Sequence, residues 1–220
     1  MLYLDAGTTW SKIIEVSDGK KKYSVIPSSE IKNIGIEKFA KTTGHAGKKD
    51  QNYVNEIVAL AQGAKKFIGT NDIILDLGSR DIKWVKFKDG KFQDMDWNTA
   101  CASAVGATVE MLLKFYNVDC KDLSFTKEKY AITCGIFGLE KIMDEVSAGL
   151  KPEIAISKFV HGLAYNAYTF CKKPNKFYVS GGFCENKCFM DSLNYYSEAV
   201  PLGRFVLCEG LIQDLQETKW

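Results

Sequence analysis

The sequence has no cysteine before position 101, only four prolines in 220 residues, no real excess of either charge and no long apolar run. Each scarcity excludes something. No stretch approaches the roughly eighteen consecutive apolar residues that a membrane helix needs, so no span is expected. The N-terminal MLYLDAGTTW reaches an aspartate after four residues, too soon for the apolar region of a secretory leader. A formal net charge of +2 gives no footprint for nucleic acid or an anionic membrane surface. These absences lead to the expectation of a cytoplasmic protein. In that reducing compartment the odd count of seven cysteines is not a disulfide set but a mixture of buried thiols, metal ligands or reactive groups.

What is present is ordinary for a folded protein: 46% hydrophobic and 25% charged residues, in a chain long enough for one large domain or two small ones. The informative feature is a repetition. LDAGTTWSK stands at Leu4–Lys12 and LDLGSRDIK at Leu75–Lys83, both of the form Leu-Asp-x-Gly-[Ser/Thr]-x-x-x-Lys. Each copy ends an apolar strand and is followed by an alternating segment with an Asp-Gly turn, at Asp18-Gly19 and Asp89-Gly90, which predicts a β-hairpin in each case.

In each copy a strand delivers an aspartate and a glycine then turns the backbone. Gly7 and Gly78 leave N–H groups exposed, and hydroxyls follow at Thr8, Thr9 and Ser79, the makings of a nest for phosphate oxygens. Asp5 and Asp76 cannot hold phosphate directly, but they suit Mg²⁺, which takes one or two carboxylates and keeps several waters. Further on, VSGGFCENK at Val179–Lys187 predicts a strand ending at Gly181-Gly182 before a helix, where a flat ring can slide against bare backbone.

Helical spacing is expected over Asn55–Lys65, Ala102–Tyr116, Gly135–Ala148, from Pro152 to about Phe170, over Glu185–Tyr196 and in a closing helix Gly210–Lys219. GRFVLCE, from Gly203, reads as a short strand. With no low-complexity linker, two closely packed lobes are expected, 1–97 and 98–220. Strands from about 72 would already serve the second lobe, and the C-terminal helix would return to the first.

This order of two phosphate hairpins and a Gly-Gly adenosine turn resembles the actin/Hsp70/sugar-kinase superfamily. Within it the chain is most similar to the BadF/BadG/BcrA/BcrD family of ATPases, the activators of 2-hydroxyacyl-CoA dehydratases and the matching subunits of benzoyl-CoA reductases. The family's first loop is met by Asp5, Gly7, Thr8, Ser11 and Lys12, and its second by Asp76, Gly78, Asp81 and Lys83. NEIVALAQGA matches a family helix, with Glu56, Ile57, Ala61, Gly63 and Ala64 in place. Thr43, Gly44 and Gly47 loosely meet a Thr-Gly-Tyr-Gly stretch, and CASAVGATVE supplies Cys101, Ala102, Gly106 and Glu110. Departures fall at Leu60, Ser79, Arg80, Ala104 and Val105, and the chain is short for the family.

The resemblance implies an α/β, two-lobed actin-like ATPase (ribonuclease H-like) fold and ATP with Mg²⁺ as cofactors. Asp5, Asp76 and Asp81 are the implied catalytic carboxylates. Gly7, Thr8, Thr9, Lys12, Gly78 and Ser79 would hold phosphates, and Gly181, Gly182 and Glu110 the nucleoside. It also implies that Cys101 and Cys134 ligate a [4Fe–4S] cluster shared across a homodimer. Four irons take four thiolates, and a twofold axis completes two per chain. By spacing alone these two cysteines read as small apolar residues at helix starts, since their separation matches no metal motif. The remaining cysteines, His45 and His161 are expected to be structural, although His45 lies in the glycine loop near phosphate. The implied activity is ATP-driven electron delivery, from a ferredoxin or flavodoxin, to a partner iron–sulfur dehydratase or reductase. A small-molecule kinase without a cluster and a nucleotide-binding regulatory or assembly subunit stand as alternatives.

Overall fold

The computed structural model describes residues 1–98, 105–132 and 135–212. Two compact units emerge. One takes Met1–Ile74, Trp84–Asp96 and the chain from Arg204, and the other takes Leu75–Lys83 and Trp97–Gly203.

In the first unit β1 (Leu2–Ala6), β2 (Trp10–Ser17) and β3 (Lys20–Pro27) form an antiparallel meander, and β4 (Lys41–Thr43) joins β1 in parallel, giving the order β3-β2-β1-β4. The β2–β3 turn is Asp18-Gly19 with φ of 51° and 72°, the mirror-image turn that matches strand twist. Alternation splits the sheet into two faces. Leu4, Ala6 and Ile13 pack with Ile31 and Phe39 on one side. Ile31 belongs to α1 (Ile31–Ile34), a single helical turn that periodicity does not announce.

The other face is crossed by α7 (Val206–Leu211), which lies against α2 (Glu56–Ala64). These helices touch backbone to backbone, because a Cβ on Gly63 would strike the Val206 carbonyl and one on Gly210 the Ala59 carbonyl. Asn55 caps α2 by accepting from the Ile57 N–H at 2.9 Å. The buried Glu209 anchors α7 to the sheet through Lys21 (2.6 Å), the Tyr23 hydroxyl (2.8 Å) and Lys66 (3.0 Å).

A five-stranded sheet has the order β7-β6-β5-β8-β9, from β5 (Ile73–Leu77), β6 (Ile82–Lys88), β7 (Lys91–Asn98), β8 (Lys176–Gly181) and β9 (Glu198–Gly203), the last two parallel. Its β6–β7 turn, Asp89-Gly90, repeats the first hairpin with φ of 51° and 74°. The helices of the second unit are α3 (Val105–Tyr116), α4 (Gly135–Ser147), α5 (Pro152–Phe170) and α6 (Lys187–Asn194). α5 opens on Pro152, whose missing N–H costs nothing at a first helical position. It buries Ile156, Phe159, Val160, Leu163 and Ala167 at helical spacing.

One expected element is corrected. GRFVLCE does not form a strand: β9 ends at Gly203 and Val206–Leu211 is helical. A short apolar run fits a buried strand or a buried helix equally well. Here Gly210 decides, since it admits the close contact with α2. Residues 213–220 of the expected closing helix lie outside the described residues.

Candidate functional site

In the first unit, β1 brings Asp5 to its penultimate position, and the antiparallel register sets Lys12 directly opposite. Lys12 Nζ lies 2.9 Å from Asp5 Oδ2, with both side chains largely buried. Gly7 then starts the turn, where a Cβ would sit 2.5 Å from the Trp10 carbonyl oxygen and 3.3 Å from Lys12 Nζ. The lysine ammonium therefore lies beside bare loop backbone. Ser28 braces this loop: its hydroxyl donates to the Gly7 carbonyl (2.7 Å) and accepts from Ser11 (2.8 Å), while its N–H donates to the Thr9 carbonyl (2.9 Å). Thr8 is left exposed at the tip and Thr9 half-buried. On the adjoining parallel strand Thr43 pairs with Asp5, and Gly44 lies against the Ala6 carbonyl.

The second unit repeats this with one addition. Lys83, buried to 2%, lies 3.2 Å from Asp76 and 3.3 Å from Asp81. Asp81 is held at its other oxygen by the Trp97 indole N–H at 2.9 Å, and the Lys83 ammonium also stands 5.4 Å from the centre of the Trp97 ring. The Gly78 N–H donates to the Asp81 carbonyl at 2.9 Å and closes the turn. Trp97 was not among the residues singled out from the sequence, because it reaches the site from the far end of β7. Both carboxylate oxygens of Asp81 are thus engaged, whereas only Oδ2 of Asp76 meets Lys83.

The first turn of α3 rests on the same loop. A Cβ on Gly106 would come within 2.9 Å of Ser79 Cα and 3.1 Å of the Gly78 carbonyl, and the Ala107 N–H donates to the Ser79 carbonyl at 3.0 Å. Glu110 follows one helical turn later, half-buried. At the end of β8, Gly181 has φ of 97° and lies against the Leu77 backbone. Gly182 beside it is exposed, with nothing within 4 Å of where its Cβ would stand. The pair therefore presents a bare backbone edge with open space before it.

Cys101 and Cys134 lie outside the described residues; α3 begins at Val105 and α4 at Gly135. The other five cysteines are free thiols. Burial pushes Cys184 and Cys188 up to about 11 and raises Cys120, Cys171 and Cys208. These groups stay protonated at neutral pH, and no set of three or more metal-binding side chains occurs among the described residues. His161 is buried, with its Nδ1–H donating to the Glu128 carbonyl (3.2 Å) and Nε2 accepting from the Tyr196 hydroxyl (2.8 Å); burial holds it below its ordinary value. His45 lies exposed in the short turn after Gly44. No helix among the described residues is long and apolar enough to cross a membrane.

Twin Asp-Lys hairpins, each with a glycine of the adjoining strand against its end, belong to the actin-like ATPase fold, and the solved structures agree. The activator of 2-hydroxyisocaproyl-CoA dehydratase from Clostridium difficile, determined with bound ADPNP, superposes with a TM-score of 0.80 over 96% of this chain and 92% of that one, at 19% identity. In sequence, the chain is 25% identical over 178 residues to the (R)-2-hydroxyglutaryl-CoA dehydratase activating ATPase of Acidaminococcus fermentans, covering 67% of this chain and 68% of that protein. An uncharacterised protein of Methanocaldococcus jannaschii is 23% identical over 216 residues, 87% of this chain and 88% of its own. No family model matches the sequence. The chain's homologues thus include the activating ATPases of 2-hydroxyacyl-CoA dehydratases, whose fold it shares.

Proposed function

We propose that this protein binds ATP with Mg²⁺, hydrolyses it, and thereby activates a partner 2-hydroxyacyl-CoA dehydratase or a related reductase. The observation that carries this reading is the duplicated Asp-Lys hairpin, Asp5–Lys12 and Asp76–Lys83, in an actin-like fold. Gly7, Thr8, Thr9, Lys12 and Ser79 supply N–H groups, hydroxyls and a cation for phosphate oxygens. The Gly78 N–H, expected to be exposed, is instead spent on the Asp81 carbonyl, so Gly78 serves phosphate by keeping the loop free of a side chain. Asp5 and Asp76 are hard oxygen donors of the kind Mg²⁺ prefers, and the ion, when bound, neutralises charge on the transferring phosphoryl group. Asp76 orients the attacking water, since Asp81 is occupied with Lys83 and Trp97. The open edge at Gly182, with Gly181 and Glu110, receives the nucleoside.

The likeness to the activating ATPases is what assigns Cys101 and Cys134 to a cluster. Two per chain suit one [4Fe–4S] cluster shared by a homodimer, which would supply a low-potential one-electron site open to a ferredoxin or flavodoxin as donor. The contact of Gly106 and Ala107 with the Ser79 loop gives α3 a direct reason to respond to nucleotide. Such a response does work only if nucleotide binds two positions of α3 with different affinity. We assign the protein to the cytoplasm, without nucleic-acid or membrane partners.

The test is phosphate release from Mg²⁺-ATP by protein purified without oxygen, with iron and sulfide measured in parallel. Turnover, with about four irons per dimer that are lost in Cys101→Ser, supports the full reading. No turnover, with or without reductant, sinks it.

A further inference from the structure

We propose that Thr43 and Ser180 are a matched pair of positioning residues, each holding a buried water against the aspartate beside it, Asp5 for Thr43 and Asp76 for Ser180. The functional half of this inference rests on the nucleotide reading: these are waters that Mg²⁺ shares with the two carboxylates.

Both residues are fully buried, and neither hydroxyl has a hydrogen-bond partner among the described residues. A buried hydroxyl with nothing to bond is costly, so something other than these residues satisfies it. In the first unit its position is defined by register. Asp5 pairs with Lys12 on one side and Thr43 on the other, so the three side chains stand in a row on one face of the sheet. Lys12 takes Asp5 Oδ2. Oδ1 lies toward β4, where a Cβ on Gly44 would come within 2.6 Å of it. Thr43 Oγ1 and Asp5 Oδ1 therefore share the β4 side of the row, and together they meet the minimum of two polar partners that a buried water requires.

The second unit contains the same arrangement in a different sequence. Gly44 lies against the carbonyl of Ala6, the residue after Asp5, and Gly181 against the backbone of Leu77, the residue after Asp76. Gly44 has φ 84° and ψ 165°, Gly181 φ 97° and ψ 178°, and each is followed by a short 3₁₀ turn, His45–Lys49 and Gly182–Glu185. Ser180 thus stands to Asp76 as Thr43 stands to Asp5, and Lys83 takes Asp76 Oδ2 as Lys12 takes that of Asp5. One unpartnered hydroxyl is an accident of packing; the same one beside both duplicated carboxylates is a feature of the duplicated site. Mg²⁺ gives up its waters reluctantly, so a protein that binds it through one or two carboxylates gains by fixing those waters.

Two measurements on the full chain decide the matter. The first is a high-resolution crystal structure without nucleotide. An ordered water within hydrogen-bond distance of each hydroxyl and its neighbouring aspartate is expected, and dry hydroxyls, or hydroxyls bonded straight to the carboxylates, overturn the inference. The second is ATP affinity with and without Mg²⁺, by calorimetry, together with thermal unfolding, for wild type, Thr43→Val, Thr43→Ser and Ser180→Ala. We expect Thr43→Val and Ser180→Ala each to lose about tenfold of the Mg²⁺-dependent gain, with metal-free ATP affinity unchanged and Thr43→Ser close to wild type. A Thr43→Val protein with a higher Tm and an intact Mg²⁺ effect identifies the hydroxyl as tolerated packing and overturns the inference while leaving the nucleotide reading in place. Wild type that binds no ATP overturns the nucleotide reading, and the crystal structure then still decides whether the waters exist.

Discussion

The N–H of Ala107, in the first turn of α3, donates to the carbonyl of Ser79 at 3.0 Å, joining a helix start to the second hairpin loop. Beside it the Gly106 backbone lies so close to Ser79 Cα and the Gly78 carbonyl that both would be struck by a side chain, and both are backbone. Neither can swing aside as a flexible side chain would. Gly106→Val is therefore expected to push the helix off the loop, costing about 1–3 kcal/mol of stability. ATP affinity should fall with it. Urea unfolding and calorimetric titration read the two effects separately.

Lys83 answers two carboxylates from a position only 2% exposed, whereas Lys12 answers one and is 15% exposed. Removing a buried cation leaves its partners uncompensated, at about 3–5 kcal/mol. Lys83→Met is expected to show a loss of that order in urea unfolding, and Lys12→Met a smaller one.

Glu209 predicts an acid limb to stability. Burial raises its carboxyl, but hydrogen bonds from Lys21, Lys66 and Tyr23 outweigh burial and hold it below its ordinary value. A carboxylate depressed in the folded state contributes stability above its unfolded pKa, and that contribution is lost as pH falls through the folded value. Tyr23, pushed up to about 12 by burial and by Glu209, acts at the other end. Its contribution is complete below the unfolded tyrosine pKa of about 10 and is lost as pH rises toward 12. Unfolding free energy measured against pH should drop below the ordinary carboxylate range and again above about pH 10. In Glu209→Gln the acid drop should shrink, and stability at neutral pH should fall.

The twin hairpins were legible because their signals are local: Leu-Asp-x-Gly ends a strand, and Asp-Gly has one favoured turn. α5 was legible for the same reason, with Pro152 marking its start. The elements misread or missed depend on distant contacts. Val206–Leu211 becomes helical against α2, and α1 is a single turn held by the packing of Ile31. The likeness of Thr43-Gly44 to Ser180-Gly181 was hidden because TTGHAG and VSGGFC share almost no residues in line. It exists in backbone angles and in the neighbour each glycine touches. The role of Trp97 was hidden too, since an indole at a strand end shows nothing of the Asp81 carboxylate it reaches.

The adjacent glycines Gly181 and Gly182 separate folding from binding. A side chain at Gly181 meets the Leu77 backbone and must also adopt a φ of 97°, so Gly181→Ala is expected to destabilise the protein by about 1–3 kcal/mol whether or not nucleotide is present. A side chain at Gly182 meets nothing within 4 Å. Gly182→Leu should therefore leave the unfolding midpoint of the nucleotide-free protein within about 0.5 kcal/mol of wild type, as for a surface substitution. The leucine would fill the open edge assigned to the nucleoside, so ATP affinity should fall at least about tenfold, equivalent to about 1.4 kcal/mol of binding. Thermal unfolding of both variants, with and without Mg²⁺-ATP, checks this. A Gly182→Leu protein stabilised by ATP as strongly as wild type would move the nucleoside away from this edge.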